Sequence, residues 1–462
     1  MKKTYLSTKN IIVTMMAASA SLLSAQTFAS GYGLHEVSPS LMGNAYAGNS
    51  TSDEDISGMR FNPAILGMAD DHQMYLSATG IFPEVDASNV RNNVSGVDAV
   101  PGDPFPVQFS ISQGPSKASD VANDAFVPAA FFAWHINDDF NLGLAVTAPW
   151  GLSTRYNEDW DGRYFAIDTD LKSVNINPII SWSWDDHFSI AAGFQAQYLN
   201  ANLTQKIPVA DKVAPTPFPP FAAVLGVDDV YSRVKGDGWG YGWSLGGLYE
   251  FTEDTRIGVG FQSKIDTEIK GNATSDGTSP LSDEVASTLI GKANTHITTP
   301  EVINLGISHD IDPCWTVMAN IEWTHWSRFR DLHIQIDGVD GQVDTVVYED
   351  WENTYFYSIG ADFRPIKDLV LRAGVGFDQT PIESQHRNPT VPDSDRNLFS
   401  VGAGYNITDD IRIDVAYMYL RFHDASVNQE DLSTGVADNT KSLEADYSGH
   451  VNLVSLGLEY VF

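Results

Sequence analysis

The sequence runs to 462 residues, with 27 Lys and Arg against 60 Asp and Glu and a formal charge of −33. That balance argues against nucleic acid as a partner, because phosphate binding requires a basic footprint. The single cysteine, Cys314, excludes an intramolecular disulfide framework, and a mean hydropathy of −0.17 with 37 glycines identifies no function by itself.

In chain order, the first feature is an export signal. Lys2, Lys3 and Lys9 form a basic start, Ile11 to Leu23 an apolar or small-residue core, and Thr27-Phe28-Ala29 the small residues of a cleavage site. Residues 1–29 are expected to be a cleavable signal peptide, with the mature chain beginning at Ser30. The apolar core is too short to cross a bilayer as a helix, and no stop-transfer pattern follows it. The leader carries three of the 27 bases and none of the 60 acids, so the exported chain is more acidic still.

Residues 30–70 are rich in Gly, Ser and Asn and lack sustained periodicity. They are expected to form an N-terminal hatch, or plug, ahead of the first strand. Beyond them, period-2 alternation recurs. Phe140, Leu142, Leu144 and Val146 face one way; so do Phe188, Ile190, Ala192, Phe194, Ala196 and Tyr198. Leu369, Leu371, Ala373, Val375 and Phe377 repeat the pattern, as do Ile411, Ile413, Val415, Tyr417 and Tyr419. The last strand places Val454, Leu456, Leu458, Tyr460 and Phe462 on one face, opposite Ser455, Gly457 and Glu459. A C-terminal strand ending in an aromatic residue is what outer-membrane barrels present to their assembly machinery, which makes Phe462 the expected contact.

No mature segment approaches the ~20 apolar residues of a transmembrane helix. A barrel spreads its lipid face over alternating strands instead. Trp182, Trp184, Trp243, Tyr355, Tyr357, Tyr419 and Tyr460 lie near strand ends, as interfacial girdles require. Short polar turns at Asn137 to Asp139, Asp185-Asp186, Thr252 to Asp254, Asp310 to Pro313, Pro365 to Asp368 and Thr408 to Asp410 alternate with long connections near 85–124, 151–166, 207–233, 273–293, 381–394 and 425–445. A soluble β-sandwich does not sort its loops by length in this way. The expected fold is all-β: a 14-stranded antiparallel transmembrane β-barrel over residues 71–462, with the hatch of residues 30–70 in a lumen wide enough to need filling.

Further motifs then match a known family. Ser30-Gly31-Tyr32-Gly33-Leu34-His35-Glu36, Asn62-Pro63-Ala64, Trp326-Ser327-Arg328-Phe329, Phe377-Asp378-Gln379-Thr380-Pro381 and Val391-Pro392-Asp393-Ser394-Asp395-Arg396 occur in order along the chain. Together they resemble the FadL-type outer-membrane transporters of long-chain fatty acids and other hydrophobic compounds. The resemblance implies capture of ligand between external loops, passage to an interior pocket, and lateral release after the hatch moves. It implies no cofactor, no energy coupling and a monomer among outer-membrane lipids.

By the same resemblance, Tyr32 reaches the pocket, and Leu203, Gln205 and Val347 line it. Two pocket positions that are basic in fatty-acid-binding members align here with Gln205 and Val347, which makes an uncharged aromatic or alkane ligand the alternative to a fatty acid. Asn62, Pro63 and Ala64 would shape the plug, since Pro fixes φ and Asn tolerates unusual turns. Asp378 shares the lumen-facing parity of its strand and is expected either to pair with Arg372 or another lumen base, or to gate. Independently of the family, the apolar loop residues Phe218 and Phe221, and Leu289 on a short helical face after Ser282, invite a hydrophobic ligand.

Two other motifs point elsewhere. Gly242-Trp243-Ser244-Leu245-Gly246 fits a nucleophile pattern, but lies in an alternating strand rather than a strand-to-helix elbow, so no enzyme is expected. Asp337, Asp340 and Asp344 resemble a calcium cluster without the spacing of a Ca²⁺ loop. A general diffusion porin would need an open polar lumen, which residues 30–70 oppose.

Overall fold

The computed structural model describes residues 30–462 apart from 99–106, 112–113, 185–186, 208–228, 278–282, 284–285, 288, 339–340 and 432–439. The signal sequence, Phe218, Phe221, the Asp185-Asp186 turn and the Ser282 cap lie outside the described residues.

Alternation of the kind read above folds into strands β1 (Gln73–Asp98), β2 (Val107–Ile111), β3 (Ala125–Asn137), β4 (Phe140–Thr147), β5 (Gly151–Arg155), β6 (Asp168–Trp184) and β7 (Phe188–Ile207). The series continues with β8 (Val230–Thr252), β9 (Thr255–Gln262), β10 (Ile265–Asp276), β11 (Gly291–Thr299), β12 (Val302–Asp312), β13 (Trp315–Thr324) and β14 (Asp331–Gly338). It ends with β15 (Gly341–Tyr348), β16 (Thr354–Ile366), β17 (Leu369–Asp378), β18 (Arg396–Thr408), β19 (Ile411–Phe422), β20 (Ala425–Asp431) and β21 (Thr440–Val461).

Fourteen of these close a ring in the antiparallel order β1-β3-β4-β6-β7-β8-β9-β12-β13-β16-β17-β18-β19-β21 and back to β1. Closure removes the unpaired edges that hydrocarbon would not tolerate. The remaining strands extend the wall beyond the apolar belt. β1 alone pairs with β21 from Gln73 to Ser95, so part of the expected 85–124 connection is strand. The reason is that the strands continue as hydrogen-bonded hairpins past the ~9–11 residues needed to cross the bilayer.

The apolar parity predicted from sequence faces outward: Phe188, Ile190 and Phe194 are exposed, as are Val375, Val415, Leu456 and Leu458. Trp182, Trp184, Trp243, Tyr355, Tyr357 and Tyr460 are exposed on the same surface. Ser244 of the decoy motif is buried within β8, bonded to Asn177 rather than to any His or acid. Among the described residues no cluster of metal-ligating side chains occurs.

Residues 30–69 are nearly all buried and touch strands from opposite sides of the ring. A short helix α1 (Pro39–Gly43) packs on β17, β18, β19 and β21, whereas the 3-10 turn Pro63–Met68 packs on β4, β6, β7, β8 and β9. Asn62 caps that turn by accepting from Ala64 N at 3.1 Å, with Pro63 supplying its first position. Its Nδ2 donates to Ser50 O at 2.8 Å and to Gly247 O at 3.1 Å. Gly258 and Gly260 of β9 make room, because a Cβ on either would meet the carbonyls of Ser50 and Phe61.

One end of this segment is fixed by charge. Glu54 pairs with Arg364, with Arg372 at 2.9 Å and with Arg412 at 3.2 Å, on three different strands, while Asp53 pairs with Arg256. The Arg372 side chain is wholly buried and also holds Asp414 at 2.8 Å. Opposing Coulombic attraction holds Glu54 well below its usual carboxylate range despite its burial, to about 2. Arg372→Ala should therefore leave buried carboxylates uncompensated and cost about 3–5 kcal/mol. Urea unfolding of the purified barrel measures this; an unchanged midpoint would remove the charge cluster from the account.

Candidate functional site: an aromatic box beside a break in the wall

The ladder between β3 and β4 stops at Ala130 and Val146, and β4 itself ends at Thr147. Ala148-Pro149-Trp150 interrupts the strand, and β5 resumes pairing with β6, its other side meeting residues 121–122 through an Ala122–Thr154 bridge and Arg155 N donating to Val121 O at 2.8 Å. Proline cannot donate to a ladder, so an interruption at Pro149 is locally reasonable. The freed backbone groups are met from inside. Leu34 N donates to Pro149 O at 2.9 Å, and Gly151 N donates to Tyr32 O at 2.9 Å. Residues 32–34 thus serve as a short substitute strand against the break, with Gly33 bridged to Trp150.

The Tyr32 ring sits among four aromatic side chains from the wall. Its centroid lies 4.7 Å from Trp326, 5.5 Å from Trp351, 5.6 Å from Phe329 and 5.8 Å from Trp150. Edge-on contacts of this kind stabilise aromatic clusters beyond their buried area. Tyr32 Oη is buried without a hydrogen-bond partner, so the box holds the ring and ignores the hydroxyl. Trp150 is oriented by its Nε1 donating to Gln197 at 2.9 Å. Gly31, at φ +63°, leaves no space for a Cβ against Trp351, and its N donates to Asp393 Oδ2 at 2.9 Å.

Two ionisable groups flank the box. Glu349 accepts from Trp351 Nε1 at 3.0 Å and from Asn388 Nδ2 at 3.0 Å. Burial nevertheless pushes its carboxyl up to about 7. On the other flank Arg60, Leu34, His35, Phe61, Trp150 and Trp326 share an interior cavity, and the buried Arg60 Nε has no hydrogen-bond partner. Burial brings the Arg60 guanidinium down to about 10, which leaves it charged at neutral pH. His35 Nε2 lies 3.0 Å from Glu322 in the same cavity.

The residues singled out from sequence fall in several places. Tyr32 is at the centre of the box. Leu203 packs with Val234, Leu332, Ala273, Ala293, Ile334 and Ile336 in a separate cluster, and Val347 pairs across from Leu332, which also packs against the main core. Gln205 is opposite Ser232 on the same extension of β7 and β8. Leu289 joins Val230, Ala286 and Ile207 in a small cluster of its own. Asp378 is buried and paired, but with Arg396, directly opposite it, rather than with Arg372. Trp150, Trp351, Glu349 and Arg60 were not found by sequence reasoning, and Trp326 and Phe329 only as members of a motif.

The sequence matches, over residues 20–462, the family described as outer membrane protein transport protein (OMPP1/FadL/TodX). The chain belongs to this family. Members of the OMPP1/FadL/TodX family are transport proteins of the bacterial outer membrane rather than enzymes, and the closed ring of strands here is the multi-pass membrane structure that location requires. The long-chain fatty acid transport protein of Salmonella typhi is 26% identical over 423 residues, covering 90% of this chain and 92% of the relative. Outer membrane protein P1 of Haemophilus influenzae is 28% identical over 476 residues, covering 97% and 99%. Among solved structures, a Pseudomonas aeruginosa FadL homologue superposes with a TM-score of 0.79 at 21% identity, covering 94% of this chain and all of that one (100%). The Ralstonia pickettii toluene transporter TbuX gives 0.64 at 17% identity, covering 94% and 99%. These structural likenesses are likenesses of fold.

Two measurements probe the box of this FadL-type barrel. Removing the unpartnered hydroxyl by Tyr32→Phe should hold or raise the melting temperature, because a buried polar atom without a partner costs about 1–3 kcal/mol. Tyr32→Ala should lower it, by the ~3–5 kcal/mol of an emptied aromatic site. Glu349 gives a pH signature. Its pKa is raised in the fold from an ordinary carboxyl value of 4.5 to about 7, so its contribution is fullest below pH 4.5 and is lost as pH rises through 7. Glu349→Gln should flatten the thermal-stability profile across that window.

Proposed function

We propose that this barrel carries long-chain fatty acids across the outer membrane by diffusion, with the tail in the aromatic box and the carboxylate at Arg60. The observation that carries this reading is the buried, unpartnered Arg60 Nε in a cavity it shares with Trp150 and Trp326. A guanidinium presents paired donors that suit a carboxylate. Three other cations serve elsewhere: Lys206 pairs with Asp159, Arg328 is bonded to Glu301, and Arg330 is exposed. The family's transport role and the name of the Salmonella relative support the same ligand class.

In this account residues 30–70 act as a hatch with a fixed part and a movable part. Charge pairing holds residues 53–55, while residues 31–34 are held by a few hydrogen bonds and ring contacts. A tail entering the box competes with the Tyr32 ring. Displacing it withdraws Tyr32 O and Leu34 N from the strand break and opens the wall between β3 and β5. The ligand then leaves sideways without crossing water. Capture between the external loops, including Leu289, is the first step.

A second reading has its own support. The box is shaped around one aromatic ring and is backed by an acid, Glu349, so an uncharged aromatic or alkane ligand fits it without Arg60. Binding of oleate and of a chain-matched alkane to the purified barrel separates the two. For fatty-acid uptake, Arg60→Gln should weaken oleate about 10–100-fold, from the loss of ~1.5–3 kcal/mol of charge-assisted bonding, and leave the alkane unchanged. Alkane binding equal to oleate in the parent protein, with no effect of Arg60→Gln, would transfer the assignment to uncharged hydrocarbons. Deleting Asn62 to Ala64 should alter uptake while the barrel still folds; unchanged uptake would remove the plug role.

A further inference from the structure

One row of side chains on the outside of the wall breaks its apolar pattern. Along β19 the outward residues run Ile411, Ile413, Val415, Tyr417, Tyr419 and Arg421. Ile411 to Arg421 is the ~9–11 residues that cross a bilayer. Arg421 is therefore the first charge on that face and stands at headgroup level, at the end away from the short turn Thr408 to Asp410. The register places Asn397 of β18 and His450 of β21 directly beside it, and Glu84 of β1 beside His450. Residues directly opposite in an antiparallel ladder share a face, so these four form one row on the lipid side. His423, exposed just past Arg421, holds its Nε2 2.9 Å from Asn397 Nδ2.

The charges in this row are unevenly matched. Glu84 lies 3.7 Å from His450. Arg421 is exposed and has no carboxylate partner among the described residues, in a chain with 60 acids against 27 bases. A guanidinium so placed calls for an anion from outside the chain, and its fork of donors matches the oxygens of a phosphate.

Towards the membrane centre the same face is grooved. Ala361 and Ala373 stand opposite each other on β16 and β17. Their small side chains leave an open groove of about 780 Å³, walled by Val375, Phe399, Val401, Tyr417 and Tyr419. Two of these walls are held in place: Tyr417 Oη donates to Asn452 Oδ1 at 2.8 Å, and the Tyr419 ring lies 5.5 Å from His450. Phe399 and Tyr419 pair in the row next to Asn397 and Arg421, with Val401 and Tyr417 in the row beyond. The groove thus runs up to the unmatched cation.

We propose that this groove holds an acyl chain of a phosphate-bearing lipid of the surrounding leaflet, with the phosphate on Arg421. Basic groups at the edge of an apolar membrane face recognise anionic headgroups in this way. The lipid is a resident of the wall and not cargo. The groove opens to the bilayer, and behind its floor the backbone of Asn44 from the hatch fills the space beside Gly360 and Gly374. The proposal stands apart from the uptake route described above.

The test titrates the full mature barrel, in a non-ionic detergent, with dioleoyl phosphatidate, with dioleoylglycerol, which has the same chains and no phosphate, and with oleate. Native mass spectrometry counts the lipid bound. Phosphatidate is expected to bind at least about tenfold more tightly than dioleoylglycerol, the ratio set by one charge-assisted contact. Arg421→Gln should abolish that preference and Arg421→Lys should keep part of it, whereas Ala373→Phe, which fills the groove, should weaken both lipids. A preference that survives Arg421→Gln overturns the phosphate site. An oleate affinity that falls by the same factor in Arg421→Gln overturns the choice of phosphate over carboxylate. Unchanged binding in Ala373→Phe overturns the acyl chain in the groove, and a dimer that Ala373→Phe converts to monomer gives the groove to a second copy of the chain instead.

Discussion

The rest of the structure depends on the pairing of backbone hydrogen-bond groups in a wall surrounded by hydrocarbon. An unpaired N–H or C=O there costs several kcal/mol, which is why the strands close into a ring. A barrel that must release a ligand sideways therefore needs a break whose polar groups are met by something removable. On the lateral route proposed above, that removable part is the chain's own N-terminal segment, through Leu34 N and Tyr32 O at Pro149 and Gly151. The same residue that closes the wall by its backbone fills the aromatic box by its side chain. The proposed route thereby joins occupancy of the box to closure of the wall in Tyr32.

The forces along the segment are unevenly distributed, and that distribution sets what can move. Around Glu54 several guanidinium groups converge on buried carboxylates, and breaking such a cluster is expensive. Around Tyr32 the contacts are ring packing, which an apolar ligand reproduces, and single backbone hydrogen bonds, which it does not. A hydrophobic ligand can compete for the box but has no chemistry with which to compete for the arginines. On the proposed route the lumen stays filled while its edge yields.

Much of the fold was legible in sequence. Alternation fixed which face of each strand meets lipid, and the short polar turns marked six of the hairpins. Loop length was less legible, because β1 and β21 keep pairing well beyond the bilayer and alternation there resembles irregular chain. For the site, parity gave the face and missed the height. Asp378 does point inward, but Arg372 lies six residues along the same strand, about 20 Å away at the rise of a strand, whereas Arg396 stands directly across. The aromatic box was illegible for a related reason. Trp150, the Trp326–Phe329 motif and Trp351 come from separate stretches of chain, and nothing local marks which of the 11 tryptophans will converge. Tyr32 was singled out by resemblance alone. Arg60 gave no signal beyond its charge, since its importance comes from burial beside Phe61 and Trp150.

The most direct measurement is the exposure of the wall break itself as the box fills. With Cys314 changed to Ser, Ala148→Cys places a thiol at the buried interruption, and a membrane-soluble maleimide reports its accessibility from the lipid side. Saturating oleate is predicted to speed alkylation at position 148 and to leave a thiol at Ser57, beside the charged anchor, unchanged. If oleate binds and alkylation at position 148 does not rise, box and wall are not coupled through Tyr32, and the account fails at its centre.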